Sequence, residues 1–252
     1  MTLQLIRKKA SYLLREFKYR GHAVHCPICC HNYAEFLPAG KVRRTNVLCQ
    51  NCKSVERIRL IYLYLTRETT LLDGTSRDIS ILHMAPEVSL YHLFSNKKNI
   101  RYTPCDFDPE SLKNRLGLIT EQGDITQLPY LKDFFDLILC NHVLEHIPDD
   151  IKAMSELFRV MKPGGLGIFL VPIDMTMEKT FEDPSITDPQ ERVEKFGQED
   201  HVRLYGADYP ERLRSVGFQV EVLPYAQQFS EADQFKYGIK PHELLFVCHK
   251  PA

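Results

Sequence analysis

From residue 78 onward, short apolar runs alternate with helical patterns, and that alternation restricts the chain to a parallel sheet joined by crossover helices. Residues 79–84, 100–105, 116–120, 135–140, 166–171, 218–223 and 243–248 read as strands. The run Leu137-Ile138-Leu139-Cys140 is apolar on both faces, as a central strand must be. Helices are expected to open at Pro86, at Asp108-Pro109-Glu110 and at Asp150, the last stopped by Lys162-Pro163-Gly164-Gly165. A further helix over 208–216 carries Pro210 in its first turn and Gly217 past its end. Residues 172–200 break the rhythm, with nine acidic residues against three basic ones and no clear period. A stretch of that length inside a compact domain reads as a lid or a binding segment, or else as disordered.

The first third of the chain is built differently. Cys26-Pro27-Ile28-Cys29 and Cys49-Gln50-Asn51-Cys52 bracket nineteen residues. Two such turns at that separation are a zinc-ribbon or knuckle spacing: each puts two sulfurs on one side of a metal, and together they complete a tetrahedron. The surrounding segment is poor in aliphatic residues, so metal binding would supply stability that its own core lacks. Four thiolates leave no open position, which makes the expected zinc structural. Cys30, His25 and His31 stand beside the site as alternative ligands. Ser54 is expected to cap a helix running to about residue 66, with Ile58, Ile61, Tyr62 and Leu65 inward.

Charge is uneven. Residues 1–67 hold thirteen Lys and Arg against three Asp and Glu, although the whole chain carries only −1. The front of the molecule is thus suited to an anionic neighbour. Residues 3–19 read as a basic amphipathic helix, either docked on the protein or lying on anionic lipid or nucleic acid. No apolar run approaches the roughly 18 residues of a membrane span, and the basic amphipathic pattern of the first twenty residues is not expected to act as a secretory signal. With its metal-type cysteine spacing, the chain is expected in a reducing cytoplasm, with peripheral membrane contact through the first helix left open. The organisation expected is a basic helix over 1–21, a zinc module with its following helix over 22–70, and a catalytic domain over 78–252 that includes the loop 172–200.

Three pieces of the second part resemble class I S-adenosylmethionine-dependent methyltransferases of type 11. These are Thr103-Pro104-Cys105-Asp106-Phe107-Asp108, then Gly123-Asp124-Ile125 leading to Phe134-Phe135-Asp136-Leu137-Ile138, then Asn141-His142-Val143-Leu144-Glu145-His146-Ile147-Pro148. The resemblance implies an α/β fold, a Rossmann-like seven-stranded methyltransferase sheet with helices on both faces. An acid at the tip of the second strand can accept from both ribose hydroxyls, which selects Asp106 ahead of Asp108. The family places an acid after the third strand on the adenine amino group, which maps to Asp124, with Ile125 beside it. Where the family has an acid and three glycines, this chain reads His83-Met84-Ala85-Pro86-Glu87. Ala85 is the smallest residue there for close backbone approach, the first helical turn could receive the methionine carboxylate, and Glu87 could pair with the methionine ammonium. His83 and Asn141 complete the expected cofactor set.

Methyl transfer to oxygen also needs the acceptor proton removed. His142 follows the fourth strand, where such folds put their reacting centre. His201 follows the acidic segment, which in similar methyltransferases lies beside the acceptor; it is the expected base, with Arg203 orienting the acceptor or binding an anion. The expected acceptor is a small molecule, sugar or glycolipid, because the acidic loop opposes a phosphate backbone. Two other readings stay open: an RNA methyltransferase that grips nucleic acid through its basic module, and a non-catalytic module that kept the fold and the zinc.

Overall fold

The computed structural model describes residues 17–40, 43–73 and 78–252. The expected basic helix lies, up to Glu16, outside them. No helix among the described residues is long and apolar enough to cross a membrane.

The chain divides into two compact units. Of the described residues, the first takes 17–40, 43–73, 88–90 and 224–243. Its cysteine-bearing part holds two short antiparallel pairs, β1 (Val24–His25) with β2 (Asn32–Tyr33) and β3 (Leu37–Ala39) with β4 (Arg44–Leu48). Val24, Cys26, Phe36 and Cys49 are its buried cluster. Helix α1 (Glu56–Arg67) follows. Val55 occupies its N-cap position, whereas Ser54, expected there, turns its hydroxyl to the sulfurs of Cys26 and Cys52 at 3.4 and 3.2 Å. The helix is also buried further round than its pattern implied, including Leu60, Leu63 and Tyr64, with Tyr62 only half-buried.

The centre of this unit is Arg59, fully buried. Its guanidinium donates to the carbonyls of Ser54 (2.7 Å), Tyr237 (2.6 Å) and Gly238 (2.8 Å), and it stacks 4.1 Å from the Phe36 ring. Tyr237 and Gly238 close a helix, Glu231–Tyr237, that carries no strong apolar period; Ser230 caps it by accepting from the Asp233 N–H. One arginine thus satisfies carbonyls that burial would otherwise leave unpaired.

The second unit takes, of the described residues, 78–87, 91–223 and 244–252. It is built on a seven-stranded sheet from β5 (Ile79–Met84), β6 (Ile100–Asp106), β7 (Glu121–Gln122), β8 (Phe135–Asn141), β9 (Met161–Leu170), β12 (Gln219–Leu223) and β13 (Leu245–His249). Their spatial order is β12-β13-β9-β8-β5-β6-β7. The five strands β5 to β9 run parallel, and β13 lies antiparallel to both of its neighbours. All seven residues of β8 are buried. Its one carboxylate, Asp136, accepts from the Ser80 N–H and from Lys162, both at 2.8 Å, and so ties three neighbouring strands together.

Helices α2 (Val88–Ser95), α3 (Pro109–Leu116), α4 (Asp150–Val160), α5 (Pro189–Phe196) and α6 (Tyr209–Ser215) flank the sheet or connect it. Asp108 caps α3 with Pro109 in the first turn, as expected. Three expectations shift. Helix α2 starts at Val88 with Glu87 as its N-cap, so Pro86 stands before it. Gly117 ends α3 in the left-handed region, and the third strand follows at Glu121–Gln122 instead of at 116–120. The glycine-proline stretch after α4 is drawn into β9, which begins at Met161 with a register shift opposite Phe135. Within 172–200 lie β10 (Phe181–Glu182), paired with β11 (Arg203–Leu204), and α5. Asp174, Asp183 and Asp188 each accept from a backbone N–H two residues on, local bonds that impose no period on the sequence.

Gly238 and Gly197 both end helices with positive φ, 60° and 88°. A Cβ on Gly238 would lie 2.7 Å from the Arg59 Nη2 and 2.7 Å from the Phe36 ring, whereas one on Gly197 meets nothing within 4 Å. Gly197→Ala should cost about 1 kcal/mol, the left-handed term alone. Gly238→Ala should cost about 3 kcal/mol because overpacking adds to it. Urea unfolding of the two variants checks this; equal losses would contradict the packing assigned to Arg59.

Candidate functional site

The strand order reverses at β5, which pairs with β6 on one side and β8 on the other. Loops leaving the carboxyl ends of those strands diverge there and open a crevice. A cavity of about 650 Å³ fills it. Met84 and Ala85 enter its wall after β5, Asp106 and Phe107 at β6, residues 123–126 after β7, and His142, Val143 and 146–149 after β8; Asp200 closes it. Ala85 and His142 leave adjacent strands in the left-handed region, with φ of 45° and 54°. Backbone bonds hold both turns: the Ala85 N–H donates to Cys105 at 2.8 Å and the His142 N–H to Leu170 at 2.7 Å. Non-glycine residues pay on the order of 1 kcal/mol for that conformation, a strain that gathers at functional sites.

The two aspartates expected to hold the cofactor stand in this wall. Asp106 Oδ1 accepts from the Asp108 N–H at 2.8 Å, and Asp124 Oδ1 accepts from Thr126 N–H and Oγ1 at 2.8 and 2.7 Å. Each carboxylate is thereby oriented by its own turn, while Oδ2 has no partner among the described residues. Phe107, 74% exposed, and Ile125 add apolar surface. Asp149, whose Oδ1 caps α4, and Asp200 bring the carboxylates of the wall to four, and no lysine or arginine is among its residues.

Of the residues expected at the site, Ala85, Asp106, Asp124, Ile125 and His142 share this cavity. His83, Glu87 and Asn141 do not line it but form one hydrogen-bonded group. His83, fully buried, donates from Nε2 to Glu87 at 2.7 Å and accepts from the Tyr102 hydroxyl at 2.9 Å, and Asn141 donates to the other Glu87 oxygen at 3.2 Å.

His201 and Arg203 also lie outside the wall. His201 is 2% exposed; its Nδ1 donates to the Phe196 carbonyl at 3.0 Å, and its Nε2 accepts from Gln198 at 2.9 Å. Burial lowers its pKa and keeps the ring neutral. The wall instead carries His142 and His146. His142 Nδ1 donates to Glu145 Oε1 at 3.1 Å, a carboxylate with no exposure. His146 is weighed with His142 from sequence, whereas Asp149, Asp200 and Phe107 carry no role there, although the cap spacing from Asp149 to Lys152 marks where α4 leaves the wall.

Arg203 holds the wall from behind. It donates to the carbonyls of Leu144 (3.1 Å), Ile147 and Pro148 (2.9 Å), and its Nε donates to Glu182 at 2.9 Å. Its guanidinium is spent on backbone, so it offers nothing to an acceptor anion. Tyr205 and Arg212 fix Asp150 behind it, at 2.8 and 2.6 Å.

In the first unit, the four sulfurs of Cys26, Cys29, Cys49 and Cys52 converge, each within 4.8 Å of the others. Cys26 and Cys52 are 3.5 Å apart, and Cys29 and Cys49 are 3.6 Å apart. The two turns repeat each other. The first cysteine of each donates its N–H to the carbonyl five residues on (His31 and Ser54), and accepts at its own carbonyl from the N–H four residues on (Cys30 and Lys53). Cys30 and Lys53 correspond, both with positive φ of 58° and 64°. Cys30 is therefore the turn-closing residue, and neither it nor His25 nor His31 joins the sulfur cluster.

The lysine variant Arg203→Lys keeps the charge but not the fork that reaches three carbonyls. It should lower unfolding free energy by about 3 kcal/mol and speed amide exchange over 144–148. A loss under about 1 kcal/mol would contradict the clamp.

Residues 87–169 match the family model described as a methyltransferase domain. A demethylmenaquinone methyltransferase of Streptomyces avermitilis is 42% identical over 66 residues, 25% of this chain and 29% of that protein. A demethylmenaquinone methyltransferase of Lactobacillus johnsonii is 24% identical over 143 residues, 56% of this chain and 50% of that protein. The chain thus spans half or less of the length of these curated relatives. The crystal structure of the cyclase SpnF superposes with a TM-score of 0.50 at 18% identity, covering 79% of this chain and 84% of that one. The second unit therefore shares the Rossmann-like α/β fold of that structure, and residues 87–169 are similar to a methyltransferase domain.

Proposed function

We propose that the chain transfers the methyl group of S-adenosylmethionine to oxygen on a small uncharged acceptor such as a sugar or another hydroxylated molecule. The observation that carries this reading is the cavity itself. Its volume is in the range of small-molecule sites, and it opens where the strand order reverses. Asp106 and Asp124 offer it two oriented carboxylates at the ends of neighbouring strands. Asp106 would accept from the ribose hydroxyls and Asp124 from the adenine amino group, with Phe107 and Ile125 against the ring. When bound, the cofactor supplies an electrophilic methyl carbon; alignment and proton removal fall to the chain.

The acceptor side is the wall of His142, His146, Asp149 and Asp200. His142 fits the base better than His201 does, because Glu145 holds its Nδ1–H and leaves Nε2 to take the acceptor proton. Four carboxylates without a facing lysine or arginine repel phosphate and carboxylate groups, so a neutral acceptor is favoured over RNA or an acidic metabolite. The names of the curated relatives favour a second reading, transfer to a demethylmenaquinone.

In the first unit we propose one structural Zn²⁺ on Cys26, Cys29, Cys49 and Cys52. Zinc–sulfur bonds of roughly 2.3 Å make a tetrahedron with edges of about 3.8 Å, close to the sulfur separations here and far from the roughly 2 Å of a disulfide.

Calorimetry tests the cofactor. The purified chain should bind S-adenosylmethionine, and Asp106→Ala should weaken it at least tenfold, about 1.4 kcal/mol. No heat at millimolar cofactor would overturn the enzymatic reading. Native mass spectrometry should find a zinc ion that is kept in Cys30→Ser and lost in Cys49→Ser together with protection of the first unit from proteolysis. Zinc lost in Cys30→Ser as well would displace the assigned ligand set.

A further inference from the structure

We propose that Glu145, His146 and His201 hold one divalent first-row transition-metal ion on the acceptor side of the cavity. Each offers a donor atom within 4.8 Å of the other two. Both imidazoles are already oriented as ligands usually are, with Nδ1–H on a backbone carbonyl: His201 on Phe196 at 3.0 Å and His146 on Asp200 at 3.2 Å. That tautomer leaves the lone pair on Nε2, where His201 now accepts from the Gln198 amide.

Glu145 supplies an independent observation. Its side chain has no exposure; Oε1 is taken by His142, and Oε2 is buried with no hydrogen-bond partner. A carboxylate oxygen in that state is costly unless a cation meets it. The two segments involved are pinned together, since the Val202 N–H donates to the Glu145 carbonyl at 2.9 Å and Arg203 holds 144–148.

Two imidazoles and one carboxylate suit zinc or iron(II) and leave coordination positions open; magnesium and calcium prefer an all-oxygen set. Ligand atoms on such an ion stand about 3 Å apart, so the group must contract. His146 is the arm that can move, because its side chain is 32% exposed while that of His201 is buried. Gln198 would give up its bond to His201. Because His146 and Asp200 are on the cavity wall, an ion held here would stand beside the cavity. An acceptor hydroxyl bound there would be acidified and would lose its proton to His142. This extends the proposed methyl transfer, but the metal is measured without the cofactor.

Cobalt(II) is the probe. The full chain, its cysteine site filled with zinc, is titrated with Co²⁺ and followed by visible absorption. One equivalent should bind with weak ligand-field bands and no thiolate charge transfer. Glu145→Gln and His146→Ala should each weaken it at least tenfold, with circular dichroism and the zinc content unchanged, while Asp149→Asn retains it. His146→Ala carries the test if the buried Glu145 variant fails to fold. No cobalt bound at millimolar concentration, or an equivalent that survives in His146→Ala, overturns the proposal. Loss of cobalt binding with S-adenosylmethionine binding intact would sink the metal site alone; the reverse result would sink the methyltransferase reading and leave the metal site.

Discussion

The cavity exists because β5 is paired on both edges by parallel strands that leave it in opposite directions. Cys105 faces Met84 on one side and Cys140 faces it on the other, so the three strand ends are level. The connections that follow must part, and the residues just beyond each end become walls. Ala85, Asp106 and His142 are placed by that register before any side-chain contact is considered. A slip of one residue in β8 would turn His142 to the other face and carry Asp136 away from Ser80 and Lys162.

The sheet alone does not finish the wall. Residues 144–148 run without strand or α-helix between β8 and α4, and their carbonyls would be unsatisfied if buried unaided. Arg203 answers three of them from β11, and the ion-paired group of Asp150, Glu182 and Arg212 keeps that arginine in place. The acidic segment before β11 thus reaches the site through structure as well as charge. Its aspartates fold it locally, Phe196 anchors it, and Asp200 arrives at the cavity.

Much of this was legible in the sequence where residue type and spacing act locally. Strand runs such as 135–140 declare themselves because a strand buried on both faces has to be apolar. Asp106 and Asp124 are legible because an acid at a strand tip has few other uses, and the cysteine pairs because two sulfurs three residues apart suit a metal. What escaped depends on distant partners. Arg59 is an ordinary helix residue until Tyr237 and Gly238 arrive from the far end of the chain. His201 and Arg203 have the chemistry of a base and an anion clamp, yet contacts more than fifty residues away bury Arg203 and spend its fork on backbone. Ser54 had two uses for one hydroxyl, a helix cap or the sulfurs, and packing chose the sulfurs. Helix α5 was hidden because its cap, Asp188, sits in a polar run without apolar periodicity.

The proposed site seats an adenosyl group across the strand ends between Asp106 and Asp124. A crystal structure of the chain with S-adenosylhomocysteine tests it most directly. Ribose hydroxyls are expected in hydrogen-bond contact with Asp106 and the adenine amino group with Asp124, with the sulfur directed toward His142. Density for the nucleoside elsewhere on the chain, or a ribose that touches neither carboxylate, would contradict it.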